Sequence, residues 1–446
     1  METIKIVSIK VENLKNVNHG VIKLPINFEN LLDASLIGIY GQNGSGKTTV
    51  VDTFEILKML ISSWIEKVPT PYKNNNIICY DKDFCNLEFC FLISNTFGEF
   101  FVNYEIELSC NEEDYLYVTK EKLSYKENEK NKKFKNLIEK NQDLIKVRTK
   151  TLKNFNEDVR VKLKVVNELS KKQSVSFVFH KDLKNFYMDH LEKFEYELLK
   201  NIGNDFNRDL HIVNNESIGL LMTKFIMPFS IHLEKKRGSI PYDLSEAAIL
   251  PIDLYKTLCD VIEQSNKVLQ TIIPGLLIKI NFINNETNDT GELVVRFEFL
   301  SKRGEIELPL RTESEGILKI ISILSLLIAA YNNPNACIVI DEIDAGIFEF
   351  LLGELLEVLK EGGQGQLFFT SHNLRILEVL EQKDLWFTTA NPENRYIQLK
   401  GIKKLNNMRD VYLRAIQLGG QEEAIYKKTK KFQIKRAFRK AGVEND

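Results

Sequence analysis

Leu36-Ile37-Gly38-Ile39-Tyr40 runs straight into Gly41-Gln42-Asn43-Gly44-Ser45-Gly46-Lys47-Thr48-Thr49, and these residues decide the fold. The first five read as a buried strand, and residues 47–61 carry helical spacing. Between them stands G-x-x-x-x-G-K-[ST], in the strand-then-helix context that motif requires. Gly41, Gly44 and Gly46 let the backbone wrap closely, so that N–H groups across Asn43, Ser45 and Thr49 aim at phosphate oxygens. The helix N-terminus adds a favourable dipole. Lys47 reaches the β- and γ-phosphates, and the Thr48 hydroxyl can hold Mg²⁺. A nucleoside triphosphate with its metal is the ligand this loop predicts.

The distal half supplies the remaining chemistry. Ala336-Cys337-Ile338-Val339-Ile340 reads as a buried strand ending in Asp341-Glu342. Asp341 is placed to bind Mg²⁺, directly or through water, and Glu342 to polarise the attacking water. Asp344-Ala345-Gly346 follows at once, and Thr370-Ser371-His372-Asn373 closes the next strand, expected over 366–370. Polar residues at the C-terminal ends of adjacent parallel strands converge on one crevice. His372 thereby comes within reach of the γ-phosphate, although a lone histidine is more often a surface or capping residue. Upstream, Arg311-Thr312-Glu313-Ser314-Glu315-Gly316 opens an apolar helix over 316–331. Taken alone, Ser-Glu-Gly is an N-cap with an acidic first turn.

In that order, the phosphate loop, Ser-Glu-Gly, Ile-Val-Ile-Asp-Glu, Asp-Ala-Gly and Ser-His resemble the head of an ABC-type ATPase. The wide gap between Lys47 and Ser314 is similar to the RecF/SMC/OLD class, where an insertion interrupts the head, rather than to transporters. Ile9-Lys10-Val11-Glu12-Asn13-Leu14-Lys15-Asn16 also resembles the first strand of that class. The compact size and the run from Glu342 to Gly346 resemble AAA15/AAA21-type ATPases of bacterial anti-phage systems, among them the ATPase subunits of PARIS and Septu. The resemblance implies ATP and Mg²⁺ as cofactors, with Asp344 among the nucleotide-site residues. It also implies that Ser314 and Gly316 contact the γ-phosphate held by another protomer. One chain cannot use both anion sites on a single nucleotide, so two copies must close around two nucleotides, as a homodimer or a higher even-numbered oligomer. A slow ATPase that controls a separate effector such as a nuclease is the function implied. The alternative is a RecF/SMC-like ATPase whose basic arms bind DNA. OLD nucleases carry a nuclease domain after the head; no such unit is expected after His372. Relatives often show Leu-His-Pro after Asp-Ala-Gly, where this chain has Ile347-Phe348-Glu349.

Composition sets the outer bounds. Of 446 residues, 43% are hydrophobic and 27% charged, with a formal net charge of -2, so any polyanion surface must be local. The expected fold is α/β, a mostly parallel sheet plus an antiparallel lobe, interrupted by a helical insertion. Head segments are expected over 1–115 and 251–400, a Lys-rich helical insertion over 116–250 and a basic helical tail over 401–446. Within the insertion a single helix is expected over 182–202. Lys130, Lys133, Lys146 and Arg148 could track phosphates, though a solvated arm is the plainer reading. The tail, with Lys427-Lys428-Thr429-Lys430-Lys431 ahead of Phe432, Ile434 and Phe438, could dock on a partner protein, on nucleic acid or on its own head. Six cysteines without a CxxC pair suit free thiols in a cytoplasmic protein. The longest apolar run contains Lys319 and falls short of the about 20 residues a bilayer needs, so no membrane partner is expected.

Overall fold

The computed structural model describes residues 2–65, 73–74, 76–214, 226–233, 236–243, 246–288, 290–400 and 407–441. The chain opens with β1 (Thr3–Leu14) and its antiparallel neighbour β2 (Val17–Lys23). In β1 the inward parity switches from Ile4 and Ile6 to Ile9 and Val11, and a bulge between Ile6 and Ser8 makes that possible. Next, β3 (Ser35–Tyr40), buried along its whole length, leads through 41–46 into α1 (Lys47–Ser62). A long hairpin follows as β4 (Phe84–Asn95) and β5 (Gly98–Cys110), with Phe89 opposite Tyr104 and Phe91 opposite Val102 on the core face.

Beyond this hairpin the secondary structure departs from expectation. Residues 116–151, read as the start of a helical insertion, continue the same sheet as β6 (Leu116–Glu127), β7 (Lys135–Asn141), β8 (Leu144–Val147) and β9 (Lys150–Thr151). Two features mask the period of two. A register shift in β6 against β5 leaves Thr119 as an extra residue, so Leu116 and Val118 point inward and then Leu123 and Tyr125. Charged side chains also occupy inward positions: Glu121 and Lys140 are each 1% exposed. Glu121 accepts the Tyr104 and Ser176 hydroxyls and the Phe177 N–H at 2.9 Å. Lys140 Nζ donates to the Val118 carbonyl at 2.8 Å, and burial pulls its pKa down to about 8. Helices begin at α2 (Glu157–Lys172). The helix expected over 182–202 is split into α3 (Lys184–His190) and α4 (Lys193–Lys200), because Leu191 is extended and Glu192 caps the second piece. A π-helical stretch, Asn201–Phe206, leads on to a last short turn, Asn207–Asp209.

The rest returns to the head. After β10 (Leu210–Val213), β11 (Ile226–Leu233) and β12 (Lys236–Asp243) pair with each other. Then come β13 (Ala248–Pro251), α5 (Ile252–Ile272), β14 (Leu276–Thr287), β15 (Leu293–Arg303) and β16 (Ile306–Pro309). The last part alternates helix and strand: α6 (Glu315–Asn332), β17 (Cys337–Ile340), α7 (Glu349–Gly362), β18 (Gln366–Thr370), α8 (Ile376–Val379) and β19 (Leu385–Thr388). The chain closes with β20 (Tyr396–Ile397), α9 (Met408–Leu418) and α10 (Lys431–Ala441).

The fold is α/β with an antiparallel lobe. One sheet of eight antiparallel strands runs β2-β1-β4-β5-β6-β7-β8-β9. The second, of six strands, runs β10-β17-β18-β3-β19-β20 and is parallel except for β20. Its central strands are buried on both faces, which is why they read as continuous apolar runs. Ile37, Ile39, Val339 and Phe368 pack with α1 against the antiparallel lobe, while Leu36, Ile338, Ile340 and Phe369 pack against α6 and α7. Among the described residues, α6 is the one helix long and apolar enough to span a bilayer, and most of it is buried in this second core.

Candidate nucleotide site

The parallel sheet sends its strand ends to one edge. Asn214 follows β10, Asp341 follows β17, Ser371 and His372 follow β18, Gly41 follows β3 and Thr389 follows β19. Gly41 leaves β3 with φ of 156°, and a Cβ there would lie 1.6 Å from Thr388 Oγ1. No other residue fits that turn. Lys47 is buried and folds back, Nζ donating to the carbonyls of Gly41 at 3.0 Å and Gln42 at 3.2 Å. Burial holds its pKa below the usual lysine range, opposed by the charges of Asp341, Glu342 and Asp344. Asn43 and Gly44 face solvent, Thr48 is half-buried, and the buried Thr49 gives its hydroxyl to Asn16 at 3.4 Å. Ser45 is buried and bonds Gln42 O and Thr388.

Residues far away in sequence brace the loop. Tyr396 donates its hydroxyl to the Gly46 carbonyl at 2.7 Å, and Asn16 donates to the Gly44 carbonyl. Arg395 ties this together by bonding the carbonyls of Thr389 (2.6 Å) and Asn16. No motif marks Thr388, Arg395 or Tyr396, because a contact to a backbone carbonyl can be made by many residue types.

Across β18 from the loop lies the acidic cluster. Asp341 is fully buried; its Oδ1 accepts the Thr370 hydroxyl, and its Oδ2 has no hydrogen-bond partner. The same Thr370 oxygen accepts the Glu342 N–H at 2.8 Å, so one hydroxyl sets both acids. Glu342 takes φ of 46°, a left-handed conformation costly for a glutamate and typical of functional turns. Asp344 accepts the His372 N–H at 3.1 Å through Oδ2, while its buried Oδ1 has no partner. Protein packed around the His372 ring, and then Lys47, push its pKa below the usual histidine range, so the imidazole is neutral at pH 7. Asn214, which the sequence did not single out, stands beside this cluster: the Asp341 N–H bonds the Val213 carbonyl at 2.8 Å. Lys319 on α6 was also missed. It is fully buried, its Nζ has no hydrogen-bond partner, and it feels Asp341, Glu342 and Asp344. Burial brings its pKa down to about 8.

The unpartnered Asp341 Oδ2 and the half-buried Thr48 suit Mg²⁺, which takes few protein ligands and completes its shell with phosphate and water. Replacing Thr370 by valine should cost about 1–3 kcal/mol of stability and weaken Mg²⁺-dependent nucleotide binding, with serine restoring both; thermal melts and calorimetry with and without Mg²⁺ read this out.

Ser314 caps α6, its Oγ accepting the Ile317 N–H at 3.4 Å, and it is exposed. No hydrogen bond joins it to the phosphate loop among the described residues. Gly316 answers to a different neighbour: a Cβ would lie 2.0 Å from the Gly346 carbonyl oxygen of the same chain. The start of α6 is thus pressed on the Asp344–Gly346 turn. Gly316→Ala should therefore destabilise by about 1–3 kcal/mol and displace the helix end, lowering both the melting temperature and ATP-driven self-association.

The Lys-rich stretch is largely a solvated face, with Lys132 pairing Glu127, Lys146 pairing Glu139 and Arg148 pairing Glu192. Of the tail, α9 (through Met408 and Ala415) and residues 421–427 lie on the chain's own head, whereas the side chains of α10 are exposed; 401–406 and 442–446 lie outside the described residues.

Residues 36–378 match the AAA_21 family, described as "AAA domain, putative AbiEii toxin, Type IV TA system". The chain belongs to the AAA_21 family. It thus carries a P-loop ATPase domain. No curated protein matches this AAA_21 sequence. Among solved structures it is similar to an SmcHead bound to the C-winged helix domain of ScpA, at 10% identity, covering 89% of this chain and 98% of that one, with a TM-score of 0.42. It is also similar to the SMC head domain of Thermotoga maritima (12% identity, 89% and 100% covered, TM-score 0.38). The Smc head with coiled coil and joint of Pyrococcus yayanosii gives 9% identity, 92% and 99% covered, and a TM-score of 0.41.

Proposed function

We propose that this AAA_21 chain hydrolyses ATP as a two-copy sandwich and uses the closed state to control a separate effector, a nuclease, in anti-phage defence. One observation carries the ATPase half: Lys47 and the acids Asp341 and Glu342 share one sheet edge, while the exposed Ser314 cap finds no partner in its own phosphate loop. Thr48 and Asp341 would hold Mg²⁺, which supplies charge neutralisation at the β- and γ-phosphates. Lys47 leaves its two carbonyls to meet the phosphate oxygens. Glu342, fixed by Thr370, accepts a proton from the attacking water. Asp344 holds the backbone N–H of His372, and from there the neutral ring would donate to a γ-phosphate oxygen. A second copy brings Ser314 and the end of α6 to the same phosphate.

The family description, which names a toxin of a type IV toxin–antitoxin system, supports the defence setting. Affinity purification from the native host tests the effector: a co-purifying nuclease released or activated by ATP is the expected result, and repeated isolation of the chain alone would remove this part. Exposed basic α10 favours the second reading, a DNA-binding ATPase. DNA binding that strengthens with ATP and fades with salt would establish it.

A further inference from the structure

The segment after α9 is built as a strap over the phosphate loop. The side-chain oxygen of Gln421 accepts the Lys400 N–H at 2.9 Å, and Glu423 accepts Asn391 Nδ2 at 3.0 Å. The Ala390 N–H bonds the Ala424 carbonyl at 2.7 Å, Ile425 is 4% exposed, and the Lys427 N–H bonds the Gln42 side-chain oxygen at 3.1 Å. Between strap and loop lies a cavity of about 600 Å³, the size of a small-molecule site, bounded by Gln42, Asn43, Ala390, Ile425, Lys430 and Ile434.

Its location follows from strand order. In the sheet, β3 has β18 on one side and β19 on the other. Asp341 and His372 lie on the β18 side, so the γ-end of a triphosphate points there. The sugar and base then leave on the β19 side, where Ala390 and the strap border this open cavity. The walls are mixed: Ala390, Ile425 and Ile434 offer apolar faces to a flat ring, Gln42, Asn43 and Gln433 offer polar groups to its edge, and Arg395, Lys427, Lys428 and Lys430 add positive charge for the phosphate end.

We propose that residues 421–434 form the base-and-sugar pocket of the nucleotide site, so that the C-terminal strap distinguishes a nucleotide from a bare triphosphate. This rests on the ATP reading above. Calorimetry of the full chain with Mg·ATP and with inorganic tripolyphosphate tests it. Ile434→Asn is neutral and sits on a helix with no buried residue, so phosphate electrostatics and folding stay intact. About fivefold weaker ATP binding is expected, with tripolyphosphate binding unchanged and Ile434→Leu behaving like wild type. Ala390→Trp, at an exposed position, fills the cavity and should weaken ATP more than about tenfold while sparing tripolyphosphate. Unchanged or tighter ATP binding in both variants, or equal losses for both ligands, overturns the pocket. A wild-type chain that binds neither ligand overturns the ATP reading itself, a pattern the variants cannot mimic.

Discussion

Lys47→Ala protein should fold normally and bind nucleotide at least about 100-fold more weakly than wild type. The ammonium now bonds two neutral carbonyls, those of Gly41 and Gln42. A triphosphate offers charged oxygens instead, and hydrogen bonds to charged groups contribute about 1.5–3 kcal/mol each. Two such bonds amount to a factor of 10² or more. The substitution also removes one of the two lysines, with Lys319, that face Asp341, Glu342 and Asp344, so the approaching anion meets more of the carboxylates' charge. Calorimetry with Mg·ATP measures the loss, and circular dichroism confirms the fold. Binding within a few-fold of wild type would show that the loop does not hold phosphate.

The second large effect is kinetic. Glu342→Gln should bind ATP as wild type does yet turn over about 10²–10⁴ times more slowly, the usual contribution of a general base. The amide keeps the shape and the Thr370 bond to the backbone N–H, so the strained turn at φ 46° survives. What it loses is the ability to accept a proton. Arrested hydrolysis should leave the closed dimer long-lived in ATP. Single-turnover assays separate this from a binding defect, and near-wild-type rates would remove Glu342 from the base role.

Much of the head was legible because its strands are short apolar runs ending in chemistry-bearing residues. Strand 366–370 was placed to the residue, and the phosphate loop, Asp341, Glu342 and His372 all fall on one edge of one sheet. Residues 116–151 were misread for a physical reason. An extra Thr119 resets the alternation, and inward Glu121 and Lys140 carry charge where a core position should be apolar. Their cost is offset by bonds to residues remote in sequence, Ser176, Phe177 and Val118, that no local pattern reveals. Lys319 did leave a trace. A single lysine inside an apolar run looks like an interruption, whereas in the fold it is a buried cation beside the acids. The braces on the loop left none: Arg395 and Tyr396 act through the backbone carbonyls of Asn16 and Gly46, at the other end of the chain.

The most direct test of the sandwich is mass in solution. Glu342→Gln protein, with and without Mg·ATP, is compared by light scattering with the same protein carrying Ser314→Arg, which places a bulky side chain at the exposed cap of α6. ATP should double the mass of the first and leave the second monomeric, with ATP still bound by both and no more tightly by the second. ATP-dependent doubling in the Ser314→Arg protein, or wild-type hydrolysis by strictly monomeric chains, would contradict it.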